Sequence, residues 1–198
     1  AKSVADGGFY PTEIAQSLRF NDDDSAYLSR TPSVAGNRKT WTFSAWVKRG
    51  NLGAQGLFTA GVYATINDQT TITFASSDAI QVVNNAGATT TINKVTTAVF
   101  RDPSAWYHIV VAWDSTQAVA EDRVKIYVNG SRITSFSTNA IIMPQNYDCY
   151  VNSTSYVHRI ARNWSSVYFD GHLAEVHFTD GTAYTADDFG EFKSGVWV

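Results

Sequence analysis

The sequence predicts an all-β domain, a sandwich or a barrel of short antiparallel strands. Three observations predict it. Apolar and polar residues alternate with period two in run after run. Gly, Pro, Asn and Asp cluster between those runs at the spacing of turns. No amphipathic helix longer than one or two turns can be found. The chain has 198 residues, and all-β domains commonly use about 200–250 residues as one unit. A chain of this length buries roughly 70% of its unfolded surface, so it needs no covalent staple. Its 17% of charged residues falls below the usual ~25%, as suits a surface of sheet and loop rich in Thr, Ser and Asn.

Residues 1–16 read as an arm, with Gly7-Gly8 and Pro11 and no periodicity, and residues 17–198 as the domain. Ser17 to Phe20 is a short run stopped by Asn21-Asp22-Asp23-Asp24, and Ala26 to Leu28 follows it. Trp41 to Lys48 alternates strictly, with Phe43, Ala45 and Val47 on one face and Ser44, Trp46 and Lys48 on the other. Gly56 to Ala60, Thr70 to Ala75 and Ile80 to Asn84 are shorter strands between Gly and Asp/Asn turns. Trp106 to Trp113 is apolar on both faces, which predicts a central strand. Val124 to Val128 ends at Asn129-Gly130, a strong hairpin signal, and Arg132 to Phe136 is expected to return antiparallel. Residues 138–168 read as long loops around a strand near Tyr156 to Ala161. In Phe169 to Phe178, residues Leu173, Val176 and Phe178 share a face only if a bulge lies near Ala174-Glu175. Thr185-Ala186-Asp187-Asp188 reads as a capping box opening one helical turn, closed by Gly190.

Bulk chemistry excludes several function classes. The net charge of −3 supplies no basic stripe for a phosphate backbone, so nucleic acid is not expected as a partner. The one cysteine, Cys149, allows no internal disulfide and is read as a buried filler. No apolar run reaches the length of a membrane helix, and no membrane partner is expected. Ala1 to Asp6 lacks the apolar core of a signal peptide, so synthesis in the cytoplasm is expected. No His/Cys cluster has zinc-ligand spacing. Asn21-Asp22-Asp23-Asp24 is rich in oxygen but lacks the loop spacing of a calcium hand. His108, set between apolar residues, is read as a hydrogen-bonded core residue.

Four segments together carry a family resemblance. They are Thr42 to Lys48, Trp106-Tyr107-His108-Ile109-Val110-Val111 with Trp113-Asp114, Lys125-Ile126-Tyr127-Val128-Asn129-Gly130, and Phe169-Asp170-Gly171-His172-Leu173-Ala174-Glu175-Val176. In order and spacing, from about Ser17 to Gly190, they resemble the laminin-G-like, concanavalin A-like lectin/glucanase superfamily. The resemblance implies a two-sheet antiparallel jelly-roll sandwich with one short terminal helical turn. Ser17 to Phe20, Tyr27 to Thr31, Phe169 to Phe178 and Asp188 to Glu191 further resemble virion surface proteins of tailed, notably marine, bacteriophages. That resemblance implies a non-catalytic tail fibre, appendage or capsid decoration on the virion surface. The partners it implies are other virion proteins and glycans, with a homo-oligomer, a trimer among its forms. A structural calcium at the rim stays open on this resemblance; no other cofactor is expected. A carbohydrate-binding module of a cellular protein is the alternative, and a glycan hydrolase the third.

Hydrolysis in this superfamily needs paired carboxylates about 5 Å apart on one strand face. Glu175 stands alone on its strand, and the adjacent Glu121 and Asp122 point apart on an extended chain. The expectation is therefore binding without catalysis. Flat rings beside amides suit a sugar, because the ring covers the C–H face of a pyranose while amides meet its hydroxyls. On that ground Trp46, Tyr63, Tyr127, Asn129, Tyr147 and Tyr150 are the candidate ligand-binding residues. Trp113, on the most apolar strand, is read as core. Phe9, Tyr10 and Ile14 of the arm are the candidate contacts to a neighbouring subunit.

Overall fold

A computed structural model describes residues 16–62, 67–163 and 165–198 of the chain. The arm residues Phe9, Tyr10 and Ile14, and the loop residue Tyr63, lie outside the described residues. Two antiparallel sheets face each other, as the sandwich expectation requires. Six strands form one sheet in the order β1 (Leu18–Phe20), β13 (Gly171–Asp180), β3 (Thr40–Arg49), β8 (Tyr107–Asp114), β9 (Val124–Val128) and β10 (Ser131–Arg132). Seven form the other: β11 (Phe136–Ile141), β7 (Thr89–Val99), β6 (Ala79–Ala86), β5 (Gln69–Phe74), β4 (Gln55–Gly61), β12 (Val157–Ile160) and β2 (Leu28–Arg30). A small hairpin of β14 (Phe192–Lys193) and β15 (Val196–Trp197) ends the chain.

Alternation explains the core. Trp41, Phe43, Ala45 and Val47 of β3, and Ile109, Val111 and Trp113 of β8, point inward and are fully buried. They meet Phe58, Ile72, Phe74, Ile80, Val82 and Ile92 of the opposite sheet in one apolar cluster. Trp41 stacks on Trp113 at 5.4 Å and on Phe178 at 5.9 Å. The registry of β13 on β3 slips between Ala174 and His177, and Glu175 takes φ +46°. This is the bulge that the sequence requires. It turns Phe178 onto Trp41, while Val176 stays at the surface. Cys149 is buried, where its sulfur accepts the Trp41 indole N–H at 3.2 Å, and burial pushes its thiol up to about 11.

The terminal hairpin β14–β15 is absent from the sequence reading, and two further elements depart from it. Thr89–Val99, where no strand is expected, forms β7; its inward positions include Lys94 and Thr96, which dilute the apolar alternation. The return expected over Arg132 to Phe136 pairs only through Ser131 and Arg132. After Ile133 donates to the Ile126 carbonyl at 2.8 Å, the chain crosses to the other sheet and Phe136–Ile141 pairs with β7. The capping box is present: the Thr185 N–H donates to Asp188 Oδ2 at 2.8 Å, and residues 186–188 make one 3-10 turn.

The Asn129-Gly130 turn has positive φ at both residues, +46° and +78°, as a tight right-twisting hairpin demands. Gly130 also lies flat against the Trp197 ring, where a methyl group would collide with it. Gly130→Ala is therefore expected to cost about 1–3 kcal/mol in equilibrium urea unfolding. A variant as stable as the parent would refute this packing.

Candidate functional site

The candidate residues fall into separate places. Trp46, Tyr127 and Asn129 belong to the outer face of the six-stranded sheet, which residues 183–198 cross as a strap. Tyr127 is buried there with Val110, Ala112, Ala186 and Trp197, and half-buried Trp46 packs alongside. His108 is the hub. The Trp197 indole N–H donates to its Nδ1 at 2.9 Å. Indole nitrogen is only a donor, so His108 is neutral and carries its proton on Nε2, which stands 2.9 Å from Ser44 Oγ. The ring is 2% exposed, and burial pulls it down to about 4, helped by the charge of His177. The Trp46 ring packs against it, tilted, at 4.9 Å. The Asn129 side-chain oxygen accepts the His108 backbone N–H at 2.8 Å.

Tyr147 and Tyr150 lie elsewhere, on the segment that closes the sandwich beside the seven-stranded sheet. Tyr147 Oη receives Asn84 Nδ2 at 3.2 Å, and Tyr150 donates to Asp68 Oδ1 at 2.8 Å, with its ring edge-on to Tyr156. The structure thus does not gather the aromatic candidates into one surface. Each described one is tied to intramolecular partners.

The outer face of the seven-stranded sheet has a different character. One rung of paired residues crosses all seven strands: Ser29, Arg159, Thr59, Thr71, Val83, Asn93 and Ala140. The next rung on one side holds Gln69 and Asn85, and on the other Thr73, Gln81 and Val95. Gln81 donates to Asn93 Oδ1 at 2.9 Å, both half-exposed. Thr59 is fully buried, yet its hydroxyl has no hydrogen-bond partner among the described residues. None of the seven strands contains an Asp or Glu. Arg162, Asn163 and Val167 wall one end; their backbone lies directly on Gly56. There the Arg162 guanidinium sits 4.7 Å from the Tyr27 ring and 5.1 Å from that of Tyr168.

This face carries hydroxyls, amides, the Arg159 guanidinium and the flanking Arg162–tyrosine stack; Thr59, Thr71, Gln69 and Arg159 are buried in it, and Gln81, Val83 and Asn93 are half-exposed. It can meet a polar surface and has no strand carboxylate to protonate a leaving group. An aromatic-first reading of the sequence passes over Gln69, Thr71, Gln81 and Asn93. The usable signal was the polar half of the alternation in Gln69–Phe74 and Ala79–Ala86, read as an outward face instead of as filler between core residues.

Elsewhere carboxylates are spent on structure. Asp170 pairs with Arg19, Asp180 accepts from the Asn37 N–H at 2.7 Å and Asn152 at 2.8 Å, and exposed Glu175 lies 3.4 Å from His177. At the acidic turn, Asn21 Nδ2 donates to Asp24 and Asn51 Nδ2 to Asp22. Among the described residues no three His, Cys, Asp or Glu side chains converge as metal ligands. The carboxylates of this turn do not converge with a third such ligand among the described residues, so they do not fit a calcium ion, which needs six or more converging oxygens.

Comparison with known proteins agrees with the fold. The Laminin_G_3 family, described as the concanavalin A-like lectin/glucanases superfamily, matches residues 20–188. No curated protein matches the chain in sequence. Among solved structures, the CBM40 of Ruminococcus gnavus IT-sialidase bound to alpha2,3 sialyllactose is similar with a TM-score of 0.52 and 10% identity, over 81% of this chain and 95% of that one. The native heptameric SAP-like pentraxin of Limulus polyphemus has a TM-score of 0.52 and 12% identity, over 77% and 68%. Tailspike protein 2 of the Escherichia coli O157:H7 bacteriophage CAB120 has a TM-score of 0.58 and 13% identity, over 87% of this chain but 23% of the tailspike. At these identities the likeness is one of fold.

Proposed function

The chain belongs to the Laminin_G_3 family of the concanavalin A-like lectin/glucanases superfamily, and from that premise we propose that it is a non-catalytic glycan-binding domain on the surface of a tailed-bacteriophage virion. The observation that carries the binding half is this face: a mostly polar rung across seven strands without one strand carboxylate. Hydroxyls and amides on a rigid sheet match sugar hydroxyls, and the half-exposed Tyr27 ring at the wall offers a face for a pyranose. The virion half is supported by the phage-like opening and closing segments. The domain serves there as a tail fibre, appendage or capsid decoration, as a homo-oligomer bound to other virion proteins. The tailspike likeness supports only the architecture.

A glycan array tests the binding half. Asn93→Ala and Tyr27→Ala are each expected to weaken any bound glycan about tenfold, that is by about 1.4 kcal/mol. Trp46→Ala, on the other sheet, should leave binding unchanged. Binding that follows Trp46 and ignores Asn93 would move the site to the strap face, and no binding on a broad array would end the reading. Immunogold imaging of particles tests the location. A second reading, a carbohydrate-binding module of a cellular protein, is favoured by the near-complete coverage of the CBM40 domain. It predicts no co-purification with particles.

A further inference from the structure

We propose that the open edge of the sandwich, between β9–β10 of one sheet and β7–β11 of the other, is a binding site for a single small carboxylate anchored by Lys94. The site does not depend on the glycan reading. Lys94 points inward from β7, is 3% exposed, and reaches across to the opposite sheet, where its Nζ donates to the Val124 carbonyl at 2.8 Å. Its Nζ lies 4.4 Å from the centre of the Phe136 ring. An ammonium has three N–H donors, and these contacts use one fully and one weakly. Next to it is a cavity of about 150 Å³, lined among others by Lys94, Glu121, Lys125, Arg132, Phe136 and Asn139.

The charge balance selects the ligand. Lys94, Lys125 and Arg132 line the cavity together with Glu121. Asp122, just outside, bonds Arg132 at 2.9 Å and lies 3.7 Å from Lys125. Three positive groups against two negative leave one charge, and the buried group without a carboxylate partner is Lys94. A buried ammonium lacking a counter-ion is costly. Burial, reinforced by the Arg132 charge and only partly offset by Glu121 and Asp122, pulls Lys94 down to about 8. One carboxylate against Nζ would supply the missing charge. The size fits a small ligand: pockets for drug-sized molecules run to about 300–1,000 Å³, whereas this one equals about five water volumes. Aliphatic Val124 and Ile133 and the Phe136 ring complete the lining and suit the carbon end of a short acid.

The test is a titration of the full chain with acetate and with D-glucuronate against chloride at matched ionic strength, followed by NMR of the lysine side chains. Saturable shifts confined to Lys94 and its neighbours are expected at pH 7, with about millimolar affinity, as befits one small charged ligand. Binding should fall as the pH rises through about 8, because the deprotonated amine loses its charge. Lys94→Met removes the charge and keeps an apolar stem, so the variant is expected to fold, checked by its melting curve, and to bind at least about tenfold more weakly. Unsaturable shifts, equal effects of chloride, or unchanged affinity in folded Lys94→Met would each overturn the proposal. Binding of glucuronate but not acetate would assign the site to sugar acids, and the reverse to short aliphatic acids; both support it.

Discussion

Replacing Arg49 by methionine is expected to destabilise the domain by about 3–5 kcal/mol, the usual consequence of removing one member of a buried charge pair. Arg49 continues the inward parity of β3 after Val47 and is 1% exposed. Its guanidinium donates to Gln55 Oε1 at 3.0 Å, Asp78 Oδ1 at 3.0 Å, the Phe100 carbonyl at 2.8 Å and the Gly53 carbonyl at 2.8 Å, and it lies over the Phe74 ring at 4.2 Å. Those partners belong to β4 and to turns of the opposite sheet, so the side chain ties the sheets at one end. Asp78 is held below the usual carboxylate range by the Gly53 N–H and then by Arg101 and Arg49. Asp78→Asn should cost a similar amount, because the guanidinium stays buried without an anion. The double variant should lose less than the sum, with coupling within the 0.5–3 kcal/mol found for contacting residues. Urea unfolding of the four proteins measures this, and a loss below 1 kcal/mol for Arg49→Met would show that the clasp contributes little.

Acid is expected to loosen the strap before it unfolds the core. Neutral His108 accepts the Trp197 N–H at Nδ1, and protonation there replaces an acceptor with a donor facing a donor. The folded state holds His108 down to about 4, against about 6.5 for a free imidazole. The unfolded chain therefore binds the proton more readily, and stability rises with pH through this window. The contribution is whole above pH 6.5 and is lost as the pH falls to about 4. Between pH 7 and 4.5 the parent should lose about 2 kcal/mol more than His108→Gln. The groups facing His108 are Ser44 and Trp46 of β3, Trp197 of the strap, Phe189 and His177, the last beside Glu175. His158 is also pulled down by burial, with Nε2 accepting the Asn152 N–H at 2.8 Å, so His158→Gln is the matching control. Asp78 titrates only at lower pH, which separates the two devices. A parent and a His108→Gln variant with parallel pH profiles would refute the assignment.

The polar partners were hidden in the sequence for one reason. Arg49 and Lys94 occupy inward positions that alternation assigns to apolar residues, and nothing local says that Asp78 or the Val124 carbonyl waits across the sheet gap. Lys94 broke the pattern enough to hide β7 altogether. His108 was legible as a bonded core histidine because its neighbours on both sides are apolar, but its partner Trp197 lies 89 residues away.

By itself the sequence determined the all-β class, the inward faces of β3 and β9, the central place of β8, the Asn129-Gly130 hairpin, the bulge at Glu175 and the terminal capping box. Each rests on interactions within a few residues or on a period of two, which a chain carries wherever it goes. Only the tertiary structure decided which faces are covered. It laid the strap over Trp46 and Tyr127, aligned amides and hydroxyls in one rung of the seven-stranded sheet, and set Lys94 beside a cavity. Those outcomes depend on pairings between distant strands and on loops crossing a sheet, and no local pattern encodes them.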